Sequence, residues 1–78
     1  MITPLTTTSG YSDWIRITLQ VTAKHGGTFF VKYRRKRREM SPLEAVEYYW
    51  GDYSEVFLRR GYLGFAVKSV ELISWELV

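Results

Sequence analysis

The chain has 78 residues, 46% hydrophobic and 17% aromatic, with no cysteine and a net charge of +3. That length accommodates one small domain, which buries only roughly 60–65% of its unfolded surface, and the lack of cysteine excludes disulfides and thiolate metal sites as supports for its core. No apolar run reaches the roughly 18 residues of a membrane span, and the start has neither the basic nor the apolar part of a signal peptide, so a cytoplasmic protein without membrane contact is expected.

Residues 1–11, with Pro4, a run of threonines and Gly10, are expected to be a flexible lead-in to a single domain over residues 12–78. From Trp14 to Lys24 the odd positions Ile15, Ile17, Leu19, Val21 and Ala23 are apolar, with Arg16, Thr18, Gln20, Thr22 and Lys24 alternating between them, the period-two pattern of a half-buried strand. His25-Gly26-Gly27 supplies a turn, and alternation resumes from Thr28 to about Arg35, with Phe29, Val31 and Tyr33 on one face and Phe30, Lys32 and Arg34 on the other. The two runs predict an antiparallel hairpin.

Ser41-Pro42-Leu43-Glu44 carries the signs of a helix start: a capping serine, proline at the first helical position and a glutamate placed to close a capping box. Leu43, Val46, Trp50, Tyr53 and Phe57 follow at spacings of three and four, the stripe of one amphipathic helix. Arg59, Arg60 and Gly61 suit its end, and a break at Trp50-Gly51 is the rival. From Phe65 to Val78 the pattern is strand-like but slips near Lys68-Ser69 and at Leu72-Ile73, predicting a bulge or two short strands. Trp50 and Trp75 are expected in the core. The order ββαβ predicts a two-layer α+β domain, a small antiparallel sheet with the helix on one face and the other face wet.

Charge is divided along the chain: residues 1–40 carry a net +6 and residues 41–78 a net −3. With the odd hairpin positions turned to the helix, the outer face gathers Trp14, Arg16, Thr18, Gln20, Thr22, Lys24, Phe30, Lys32 and Arg34, and Arg34-Arg35-Lys36-Arg37-Arg38 follows as five consecutive cations. Cations neutralise phosphates and aromatic faces stack on bases. The expectation is a non-catalytic module binding DNA or RNA through Arg16, Phe30, Lys32, Arg34, Arg35, Lys36, Arg37 and Arg38, with Phe30 or Trp14 as the stacking surface. The plainer alternative is a solvated strand end, partly neutralised by Glu44, Glu47, Asp52 and Glu55, that guards an edge from aggregation.

Tyr48, Tyr49 and Tyr62, off the stripe or just past the helix, read either as rim packing or as anchors of a protein interface. On that alternative the chain is a protein-interaction or inhibitor module docking on an acidic partner, similar in composition to small accessory proteins of phages and mobile elements. A homodimer is also considered, pairing strand one or the C-terminal strand at an open edge. Thr28–Tyr33 alternates aromatic and basic residues as RNA-binding sheets do, but lacks the Gly-Phe-Gly-Phe core of the RNA-recognition motif, and ββαβ is not that fold's order.

Ingredients for catalysis are thin. His25 is the one histidine and falls in a turn, a lone histidine without cysteine makes none of the common zinc sets, and the helix acids read as solubilising charge. A domain this small leaves little room for a ligand pocket of about 300 Å³. No enzyme activity, cofactor or metal is expected.

Overall fold

The computed structural model describes residues 12–78; the lead-in expected over residues 1–11 lies outside them. Strands β1 (Trp14–Ala23) and β2 (Thr28–Lys36), helix α1 (Pro42–Arg60) and strand β3 (Val67–Leu77) follow in chain order. They form a three-stranded antiparallel sheet of order β2-β1-β3 with the helix packed on one face, the α+β layout expected.

The most apolar strand takes the centre, where both neighbours and the helix cover it. Ile15, Ile17, Leu19 and Val21 are fully buried, and Val67, Val70, Trp75 and Leu77 of β3 extend the core beside them. Because β1 is hydrogen-bonded on both sides, it offers no edge for self-association. The open edges belong to β2 and β3. A continuous register from Trp14↔Lys36 to Thr22↔Thr28 joins β1 to β2. The β1–β3 register shifts between Thr18 and Leu19 and between Thr22 and Ala23, which leaves Ile73 and Lys68 as the extra residues. The tail is therefore one strand with two bulges, at the places where its alternation slips.

The hairpin closes with the Gly26 amide donating to the Ala23 carbonyl (2.9 Å) and the Ala23 amide to that of Gly27 (2.8 Å). Gly26 sits at φ 106°, a conformation open to glycine and strained for other residues. Ser41 caps the helix as expected: its hydroxyl accepts from the Glu44 amide (3.2 Å) while the Glu44 carboxylate accepts from the Ser41 amide (2.9 Å). The helix runs unbroken through Gly51 to Arg60. Gly61 ends it at φ 87°, its amide donating to the Phe57 carbonyl. A Cβ there would lie 2.6 Å from the Phe65 carbonyl oxygen, so the stop requires glycine.

The buried seam of α1 differs from the stripe read in the sequence. Ala45, Val46 and Tyr49 are the buried residues, Trp50, Tyr53 and Phe57 pack partly against the core, and Leu43 is 53% exposed. At 100° per residue, Ala45 and Tyr49 rotate the seam by roughly 40° from the expected one, leaving Leu43 on its flank. Ala45 carries so little apolar area that a hydrophobicity count passes over it, yet it lets the helix approach the sheet closely. The helix lies over β1 and β3. Toward β2 it reaches through long side chains, with Tyr33 stacked on Tyr53 at 4.0 Å and 9°.

Candidate nucleic-acid interface

On the face away from the helix the register lines up residues in rows across β2, β1 and β3. Arg34, Arg16 and Glu76 form one row, Lys32, Thr18 and Ser74 the next, then Phe30, Gln20 and Glu71, then Thr28, Thr22 and Ser69, with Lys36 beside Trp14 at the end. The columns differ in character: β2 contributes cations and an aromatic, β1 mainly hydroxyl and amide groups, and β3 two carboxylates. Side chains two apart on β2 recur about every 6.8 Å.

Period two splits the five-cation run. Arg34 and Lys36 project from the outer face and are exposed. The Arg34 guanidinium lies 4.1 Å from the centroid of the Trp14 ring, a cation–π contact that fixes its position and covers the indole. Arg35 turns to the helix side, its guanidinium 5.2 Å from the Tyr33 ring and 5.6 Å from that of Tyr53, so it leaves the expected binding face. Arg37 leaves it too. Only 8% exposed, it donates from Nε to the Ser12 carbonyl (2.8 Å) and from Nη1 to that of Met40 (2.7 Å), closing the passage from β2 to α1. Arg38 is exposed at φ 61°.

Arg16 pairs with Glu76 across β1 and β3. Lys32, Arg34, Lys36 and Arg38 form no ion pair with any described residue, and the helix acids Glu44, Glu47, Asp52 and Glu55 are exposed and do not neutralise the run. Phe30 is 65% exposed, and among the described residues no ring packs on it. The open face thus carries a bare aromatic and three unpaired cations in line along one edge. Of the two stacking surfaces expected, Phe30 is free and Trp14 is occupied by Arg34.

The three tyrosines expected as interface anchors separate. Tyr49 is 8% exposed, with its hydroxyl donating to the Lys36 carbonyl at 2.8 Å; it belongs to the core and fastens the helix to the end of β2. Tyr62 packs between Phe29 and Phe57. Tyr48 alone is half exposed. Burial raises the pKa of Tyr33, and Tyr62 and Tyr53 add to the rise; burial likewise raises that of Tyr53 against the pull of Arg35.

A second exposed patch lies between the end of α1 and the start of β3. Tyr62 and Phe65 exchange backbone hydrogen bonds of 2.9 Å, with Leu63 and Gly64 between them at φ 51° and 83°, the left-handed pair of a type I′ turn. Leu63 is 71% exposed, and Leu58 and Phe65 are exposed as well. An open cleft of about 390 Å³ lies here, lined by Lys24, Leu58, Arg59, Arg60 and Phe65 among others, larger than expected for so small a domain. It forms between the helix end and the turns, where glycines leave room, rather than within the core. His25 is exposed in the hairpin turn, its Nδ1 accepting from the Gly27 amide and its ring edge-on to Phe65. Among the described residues no three His, Asp or Glu side chains come together as metal ligands, and no helix is long and apolar enough to cross a membrane. No family model, curated protein or solved structure matches the chain.

Proposed function

We propose that this protein is a small non-catalytic module, working in the cytoplasm, that binds nucleic acid on the open face of its sheet. The observation that carries this is the line of Lys32, Arg34 and Lys36 beside exposed Phe30, unpaired with any acid among the described residues. Unpaired cations in line neutralise a phosphate chain and release its counterions, while the aromatic adds stacking. With Arg38 included, neutralisation of about four phosphates gives a log–log salt slope of about −3. Fluorescence anisotropy with labelled oligonucleotides over a salt series tests it: binding is expected to weaken with that slope and to be lost in Lys32→Glu/Arg34→Glu/Lys36→Glu. No anisotropy change with DNA or RNA at low salt rejects it.

A second reading, a protein-interaction or inhibitor module, is favoured by the opposite end. Leu63 is a bulky apolar residue in a left-handed conformation with most of its surface in water, and local costs of this kind cluster at functional sites. With Leu58 and Phe65 it makes an apolar tip among Lys24, Arg59 and Arg60, suited to an acidic partner with an apolar anchor. On this reading Leu63→Asn abolishes partner capture and the triple charge reversal on β2 does not.

A further inference from the structure

We propose that the nucleic acid this face accepts is single-stranded, with its backbone running along β2 and a base stacked on Phe30. The inference rests on the nucleic-acid reading above and concerns which form is taken.

Glu71 and Glu76 stand on the same outer face as the cations, in register with Gln20 and Arg16, and β3 lies two strand spacings, about 10 Å, from β2. The major groove of a duplex is about 12 Å wide. A duplex laid with that groove toward the sheet and one phosphate chain on Lys32, Arg34 and Lys36 therefore brings its second chain onto the acidic edge. Glu76 is partly compensated by Arg16, whereas Glu71 makes no ion pair with any described residue. One chain is attracted and the other repelled. A single strand following β2 meets only the cations.

Phe30 favours the same form. Its ring is exposed, and among the described residues no other ring packs on it; it stands on β2 at the end of the cation line, beside the β1 column. Paired bases in a duplex hide their faces in the stack, whereas the unstacked bases of a single strand can lie directly on a bare ring on an open sheet. Beside it, Thr18, Gln20 and Thr22 of β1 form a column of hydroxyl and amide groups that can hydrogen-bond to the edges of bases splayed from a backbone on β2. The step of about 6.8 Å between successive outward side chains is close to the phosphate spacing of an extended single strand, and Arg34 is already held in place by Trp14.

The test compares labelled oligo-dT, oligo-U and a mixed-sequence DNA duplex, each about 12 nucleotides long, by anisotropy at low salt with the full chain. At least one single strand is expected to bind at least about tenfold more tightly than the duplex, and the dT and U arms separate DNA from RNA. Phe30→Ala, a substitution at an exposed site, is expected to weaken single-strand binding about 5- to 150-fold and to leave duplex binding unchanged. Glu71→Lys is expected to strengthen the duplex more than the single strand. Circular dichroism checks that both variants fold. Duplex binding equal to or tighter than both single strands, or single-strand binding indifferent to Phe30→Ala, overturns the inference while leaving the nucleic-acid reading standing. Binding to none of the three overturns both.

Discussion

Lys36 and Arg37 are adjacent, equally charged in the sequence and opposite in role. Lys36 projects from the open face, whereas Arg37 is buried against the carbonyls of Ser12 and Met40. Hydrogen bonds from a charged group are worth about 1.5–3 kcal/mol each, so Arg37→Ala is expected to lower unfolding free energy by at least about 2 kcal/mol in urea titrations. Lys36→Ala is expected to leave stability within about 0.5 kcal/mol and to reduce oligonucleotide affinity. Equal stability losses for the two would contradict the division. Period two made the outward placement of Arg34 and Lys36 legible in the sequence. The burial of Arg37 was not legible, because it lies past the strand and one of its acceptors, Ser12, is 25 residues away. Leu63 offers the converse case. Asparagine adopts a left-handed conformation at lower cost than leucine, so Leu63→Asn is expected to raise stability by about 1 kcal/mol; a loss of stability would show that its side chain packs.

At the scale of elements, the helix and its cap were readable because capping is local: Ser41, Pro42 and Glu44 sit within one turn. Ser41→Ala is expected to cost about 1 kcal/mol, measured by thermal or urea unfolding. The two bulges of β3 were readable for the same reason, as slips in a period-two pattern. What the pattern could not give was the angle at which α1 meets the sheet. Close approach at Ala45 and the hydrogen bond from Tyr49 to Lys36 turn the seam, and both depend on distant partners. A further contact from α1 toward β2 is the Tyr33–Tyr53 stack. Burial is the main cause raising both pKa values above the ordinary 10.0, so folding favours the protonated phenols. Their contribution to stability is fully present below the unfolded value and lost as pH rises through the higher folded ones. Urea denaturation across a pH series is expected to show a decline above about pH 10 that is smaller in Tyr33→Phe/Tyr53→Phe. An identical alkaline decline in that double variant would show that other groups cause it.

For the whole molecule, the division of charge into a basic half of +6 and an acidic half of −3 acquires a geometry. β3 returns beside β1 and not beside β2, so the cations of β2 and the carboxylates of β3 occupy opposite edges of one open face, with the mainly polar column of β1, Arg16 included, between them. The alternation of each strand was legible, and hence so was a basic outer face. Strand order was not, because the choice of neighbour for β3 is made across the whole chain by burial of the apolar β1, and with it went the acidic edge that bears on the form of nucleic acid accepted. The central claim, that this face is the binding surface, is tested most directly by following backbone amide and aromatic resonances of the labelled protein while a short single-stranded oligonucleotide is added. The expected result is a contiguous set of shifts at Phe30, Lys32, Arg34, Lys36 and the neighbouring Thr18 and Gln20, with α1 and the Leu63 turn unmoved. Shifts confined to Leu58, Leu63 and Phe65, or no shifts at all, would contradict it.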